Sequence, residues 1–167
     1  MIRKKKKFER PRKPYEKARI LEENKVLSNY GLKNKREIWK AQAIVKKFRR
    51  RAKDLITVGK EEQEMFFAKL KKIGLKVNSI ADVLALTIHD LLKRRLPMIL
   101  LEKKLASTPK QARQMIVHKL VRIDGRVVNA PSYLVAIDEE KLIIVKHLNK
   151  KPKNVEKEIN AGDEQNE

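Results

Sequence analysis

The sequence predicts an α+β fold: an N-terminal all-α domain followed by a small module of two short helices packed on an antiparallel sheet. Three observations predict it. Apolar residues recur at helical spacing from Ile38 to Ile56, the mark of an amphipathic helix. Two short helices start near Pro97 and at Thr108-Pro109, where proline occupies a first turn and forfeits no needed N–H. Val121-Arg122-Ile123 and Arg126-Val127-Val128 then flank Asp124-Gly125, a two-residue turn suited to type I′ geometry.

Residues 1–14 are basic, carry Pro11 and Pro14 and lack an apolar stripe, so they read as an extended arm. A helix is expected from Tyr15 or Glu16 to Gly31, with Ile20, Leu27 and Tyr30 on its buried side. The next helix is capped by Asn34, with Glu37 placed for a capping-box arrangement. Ile38, Ala41, Val45, Phe48, Ala52, Leu55 and Ile56 form its apolar face. Residues 61–73 predict a helix with acids first and lysines last, as the macrodipole prefers, ended by Gly74. Ser79 with Asp82 opens a further helix running through Leu91 and Leu92, which completes the domain at 15–92.

In the module, 93–150, a helix is expected from Arg95 or Leu96 to about Lys104, with Ile99, Leu100 and Leu105 facing the core. The second helix starts at Thr108 and Pro109. Ala112, Met115, Ile116 and Lys119 fall on one side; Lys110, Arg113, Gln114, Val117 and His118 fall on the other and present donors. Tyr133 to Ile137 and Leu142 to Val145 read as further strands. Residues 151–167 form an acidic tail, disordered by composition.

Of 167 residues, 42 are Lys or Arg and 21 Asp or Glu, a formal net charge of +21. Such an excess opposes compaction by self-repulsion unless a polyanion offsets it. Nucleic acid is the first candidate. A membrane is not expected, because no apolar run approaches the length of a span and no lipidation motif is present. Basic Met1 to Lys7 leads into Phe8-Glu9-Arg10-Pro11 rather than an apolar stretch, so export is not expected either. The charge is uneven: residues 1–60 hold 22 Lys and Arg against 6 acids. Lys35 and Arg36 sit in a first helical turn, where the dipole disfavours cations, and a binding role explains their tolerance. With aromatics at 5%, base stacking is not the main mode of contact.

Catalytic constellations are missing from the sequence. With no Cys there are no disulfides, thiolate zinc sites or Cys nucleophiles. His89, His118 and His147 lack ligand spacing, and there is no phosphate-cradling glycine loop or nucleophile elbow. The chain is expected not to be an enzyme and to need no metal or cofactor.

The module resembles the S-four RNA-binding domain, which binds structured RNA. The likeness rests on Arg95-Leu96, Leu105-Ala106-Ser107, Gln111 through Ile116, Val121 through Gly125 and Asn129 through Val135. That domain also occurs in pseudouridine synthases, some tRNA synthetases and a heat-shock RNA-binding protein. The remainder narrows the choice. Pro11 through Arg19 and the run YGLKNKREIWKAQAIVKKFRR, Tyr30 to Arg50, resemble the S-four family of small-ribosomal-subunit proteins in its archaeal and eukaryotic form, over about residues 8–150. The missing N-terminal Cys cluster and the acidic tail favour the archaeal branch.

The resemblance implies a structural component of the small subunit, ribosome-bound in the cytoplasm. It implies binding to small-subunit rRNA early in assembly and an effect on decoding accuracy. It further implies a position beside the S-five protein and near the mRNA entry side. It nominates Arg94, Arg95, Ser107, Lys110, Arg113, Gln114, His118, Lys119 and Arg122 as RNA contacts, with Lys35, Arg36, Lys40, Arg49, Arg50 and Arg51 in the helical domain. The module alone also fits a free RNA-binding quality-control or chaperone factor.

Overall fold

In the computed structural model, residues 7–146 are described. Helix α1 (Lys17–Tyr30) ends at Gly31, whose φ of 59° is the left-handed conformation expected there. Ile20, Leu27 and Tyr30 are half-buried, and the buried residue of this helix is an acid, Glu23, which no apolar pattern announces. Helix α2 (Lys35–Asp54) is capped by the Asn34 side chain, which accepts from the Arg36 N–H at 2.9 Å. Glu37 does not close the expected capping box; its carboxylate is drawn away by two arginines described below. Ile38, Ala41, Val45 and Ala52 are buried. The chain then tightens into a 3₁₀ turn (Leu55–Thr57), which turns Leu55 inward and leaves Ile56 58% exposed, against expectation.

Helix α3 (Lys60–Lys72) is followed by Gly74 at φ 87°. The single helix expected after Ser79 is two: α4 (Ile80–Ala85) and α5 (Ile88–Lys93). The break has a local cause. Asp90 accepts from the Thr87 N–H at 2.9 Å and from the Thr87 hydroxyl at 2.7 Å, a second N-terminal capping signal inside the apolar run. Helix α6 (Leu96–Glu102) starts with Pro97 in its first turn and ends two residues earlier than expected. Helix α7 (Pro109–Val117) is capped by Thr108, which accepts from the Gln111 N–H at 3.2 Å. Lys119 lies beyond its end and is exposed rather than on the apolar side.

Strands β1 (Val121–Ile123), β2 (Arg126–Val127) and β3 (Ile143–Val145) form an antiparallel sheet in the order β2-β1-β3. Ile123 pairs with Arg126 across the turn, and Asp124 and Gly125 take φ of 49° and 72°, as a type I′ turn requires. The strand expected at 133–137 does not form. Leu134 makes one bridge to Arg95, and Ile137 opens a short helix α8 (Ile137–Glu140). Glu139 there accepts from the Ala136 N–H at 3.2 Å, so the acids following Ile137 start a helical turn and override the β-branched pattern.

Two apolar clusters result. Ala41, Val45, Ala52 and Leu70 pack with Leu75, Val77, Val83, Leu86, Leu91 and Leu92. Leu96, Ile99, Leu100, Ala112 and Ile116 pack on Val121, Ile123, Val135 and Ile143, setting α6 and α7 on the sheet. The calls on residues 1–6 and on the tail at 151–167 lie outside the described residues.

Gly31 also marks the contact of α1 with the module. A Cβ there would stand 2.8 Å from the Pro109 carbonyl carbon at the start of α7. Gly31→Ala is expected to destabilise the protein by at least about 1–2 kcal/mol through left-handed strain alone, and more through this clash. A thermal melt of the variant checks it; an unchanged Tm would refute the close approach.

Candidate nucleic-acid interface

The α2 face opposite its buried stripe carries Arg36, Lys40, Lys47, Arg50 and Arg51, all exposed and spaced to share one broad side of the helix. Lys47 belongs to this array by geometry, although the sequence resemblance does not single it out. The other two nominated cations of α2 make contacts within the protein. Arg49 donates to the Leu86 carbonyl at 2.7 Å, and Lys35 Nζ is 3.6 Å from the buried Glu23 carboxylate.

Glu23 ties the arm to both helices. It accepts from Trp39 Nε1 at 2.9 Å and from Arg19 at 2.6 Å. Arg19 also donates to the carbonyls of Lys13 and Pro14, each at 2.9 Å. Phe8 packs on Trp39 with ring centroids 6.0 Å apart, and Glu9 meets Lys46 at 2.8 Å, so the arm is laid back along α2. Burial pushes the Glu23 carboxyl up, but the Trp39 and Arg19 hydrogen bonds and the Lys35 charge outweigh it and hold the group below the usual carboxylate value.

In the module, Lys110, Gln114 and His118 are exposed on the outward side of α7, with Val117 among them. Ser107 and Lys119 are exposed at its two ends. The Ser107 N–H donates to Gln111 Oε1 at 3.0 Å, which shapes the turn into α7. Arg122 is exposed at the middle of β1, flanked across the sheet by Val127 and Ile144.

Three nominated arginines are occupied inside the protein. Arg94 donates to the Ile73 carbonyl at 2.8 Å, to the Val135 carbonyl at 3.2 Å and to Glu140 at 3.1 Å. Arg95 is 7% exposed and donates to Glu37 at 2.7 Å. Arg113 grips the same carboxylate with two N–H groups, at 3.1 and 2.8 Å. Glu37 thus joins the first turn of α2 to the N-cap of α6 and the middle of α7. Burial raises its pKa, but the hydrogen bonds and charges of Arg113 and Arg95 outweigh it and hold the carboxyl below its ordinary 4.5. Lys40 and Arg113 line one cleft of about 400 Å3 with Lys7, Glu37, Arg95 and Pro131. The cleft lies at the seam between α2 and the module, with Lys40 of the exposed α2 face on its wall.

Sequence reasoning missed Glu23 and Glu37 as cross-links. Both are acids among cations, and only their partners' positions in space distinguish them from solvated charges. Among the described residues no group of three or more His, Cys, Asp or Glu is placed to hold a metal ion, and no helix is long and apolar enough to cross a membrane.

Residues 94–141 match the family model described as S4 domain, so α6, α7 and the sheet define an S4-domain protein. The likeness to known proteins extends well beyond that module. The small ribosomal subunit protein uS4 of Nanoarchaeum equitans is 47% identical over 148 residues, 84% of this chain and 82% of the relative. The small ribosomal subunit proteins uS4 of Saccharolobus islandicus strains L.S.2.15 and M.14.25 are each 44% identical over 145 residues, 83% of this chain and 80% of the relative. The chain belongs to the uS4 family of small ribosomal subunit proteins. It is accordingly a structural protein and not an enzyme.

Removing the charge of Glu37 leaves two guanidiniums without a counter-ion. Glu37→Gln is expected to lower stability at pH 7 by about 2 kcal/mol, discounted from a fully buried pair because its edge meets solvent. Because the folded carboxyl titrates below its ordinary value, this contribution is full above about pH 5. It is lost as the pH falls through the lowered value. Denaturant melts from pH 7 down to pH 3 should therefore show the two proteins converging in acid; a constant gap would contradict the charge bridge.

Proposed function

We propose that the protein binds small-subunit rRNA directly, as a structural component of the small ribosomal subunit in the cytoplasm, where it nucleates assembly and supports decoding accuracy. The observation that carries this reading is the Glu37 bridge: it joins a basic helix to a basic S4 domain, so that one folded RNA can meet both. Arg36, Lys40, Arg50 and Arg51 contact phosphates from α2, with Lys35 and Arg49 at its edge. Ser107, Lys110, Gln114, His118, Lys119 and Arg122 contact the RNA from the module. Arg94, Arg95 and Arg113 act one step back and position those groups. Arginine suits that inner task because its planar fork matches a carboxylate. The neighbours we infer are the S-five protein and mRNA near the entry side; both come from family likeness.

Binding of a few phosphates by Lys and Arg releases counter-ions, so affinity should fall steeply with salt. With an archaeal small-subunit rRNA transcript, the full chain is expected to lose roughly 10³-fold or more in affinity between 50 and 200 mM salt. The triple variant Arg36→Ala, Lys40→Ala, Arg50→Ala should bind more weakly and show a log–log slope shallower by about 2–3. Salt-independent binding would sink the phosphate clamp. Sedimentation separates the readings of the module: stoichiometric presence on every small subunit supports the structural role, whereas recruitment only under stress would favour a free quality-control factor.

A further inference from the structure

Four helices end with the same backbone closure. The N–H of a leucine reaches back five residues to a helix carbonyl: Leu32 to Leu27, Leu75 to Leu70, Leu105 to Leu100 and Leu120 to Met115, at 2.9 to 3.1 Å. The residue before each leucine must be left-handed for this bond to form. In the N-terminal region that residue is glycine, Gly31 at φ 59° and Gly74 at φ 87°. In the S4 domain it is lysine both times, Lys104 at φ 57° and Lys119 at φ 60°. Asp124 is the remaining non-glycine residue of positive φ among those described, and its turn accounts for it.

A side chain at such a position strains the backbone, and glycine removes the strain. A cation anywhere near a helix C-terminus satisfies the dipole, so helix-end electrostatics does not single out the strained left-handed position. At the end of α6 a cation already stands at the C-cap, Lys103, with its ammonium on the Glu140 carbonyl. Among the described residues, neither Lys104 nor Lys119 has a side-chain hydrogen bond or ion pair, and both are exposed. Lys103 is used by the fold; these two are not.

We propose that Lys104 and Lys119 are a matched pair of RNA phosphate contacts, placed at the ends of α6 and α7 by the left-handed closures and retained there in spite of the strain. Lys104 thereby becomes a binding residue of the S4 domain that neither its helical periodicity nor the resemblance nominates. The inference rests on the rRNA-binding reading above. A left-handed residue is held by backbone hydrogen bonds on both sides, so each ammonium starts from a rigid stem and loses less freedom on binding than a lysine on a loose loop.

Substitution to glycine separates binding from folding, because the two effects have opposite signs. Lys104→Gly and Lys119→Gly in the full chain are each expected to raise the Tm of the free protein. Each should weaken binding to the archaeal small-subunit rRNA transcript by roughly fivefold near 150 mM salt and make the log–log salt slope shallower by about 0.9. The double variant should combine both effects. An unchanged affinity and slope would show that the lysines only close the helices and would overturn the proposal. A lowered Tm would overturn it as well, since no strain was then being held. Absence of salt-dependent binding in the unsubstituted protein would instead bring down the rRNA reading itself.

Discussion

The carboxylate of Glu37 is the constraint on which the arrangement of the rest depends. It sits in the first turn of α2 and is held by Arg95 and Arg113, 58 and 76 residues further along the chain. Each apolar cluster can bury its own side chains without reference to the other. The direction in which one meets the other is another matter, because apolar contact is nearly isotropic. A carboxylate gripped by a guanidinium fork is directional. The Arg113 fork and the single Arg95 N–H on one carboxylate leave little freedom for α2 to turn relative to α6 and α7. The close approach of Gly31 to Pro109 adds a steric stop on the same boundary.

The same division of labour recurs through the molecule. In a chain of net charge +21, three of the acids serve as cross-links, each drawing cations inward. Glu23 gathers Arg19, Trp39 and Lys35 and so fixes the arm, α1 and α2. Glu140 takes Arg94, which also spans the carbonyls of Ile73 and Val135. Each internal cation is neutralised by a carboxylate or met by carbonyl oxygens, so its desolvation is offset where it occurs. What remains at the surface is a charge of nearly one sign along α2 and around α7. Such a surface repels itself until a polyanion covers it. Membership of the uS4 family and this charge plan describe the same object: a scaffold whose fold keeps its cations apart and available.

Much of this was legible from residue order. Helix α2 was readable because seven apolar residues repeat at one period, and its cap because Asn34 precedes them. The hairpin followed from Asp124-Gly125, since few other pairs tolerate two positive φ angles in succession. Where reading failed, a short-range signal was outweighed by another signal or by a distant partner. The Thr87 and Asp90 cap split an apolar run that resembled one helix. The acids after Ile137 turned an expected strand into α8. Glu37 left its own helix terminus because two arginines bind a carboxylate more strongly than a backbone N–H does.

By itself, then, the order of residues determined the class of fold, the positions of most helices, the hairpin, and the strongly cationic character of the surface. These are local matters of period, cap chemistry and charge, decided within a few turns of chain. Only the tertiary structure decided which cations face outward. Arg94, Arg95 and Arg113 look no different in sequence from Lys110 or Arg122, yet they are committed to Glu140, a pair of carbonyls and Glu37. The reason is physical: a buried guanidinium is stable only where a carboxylate or carbonyl oxygens come within hydrogen-bonding distance, and folding alone brings together groups 21 to 76 residues apart.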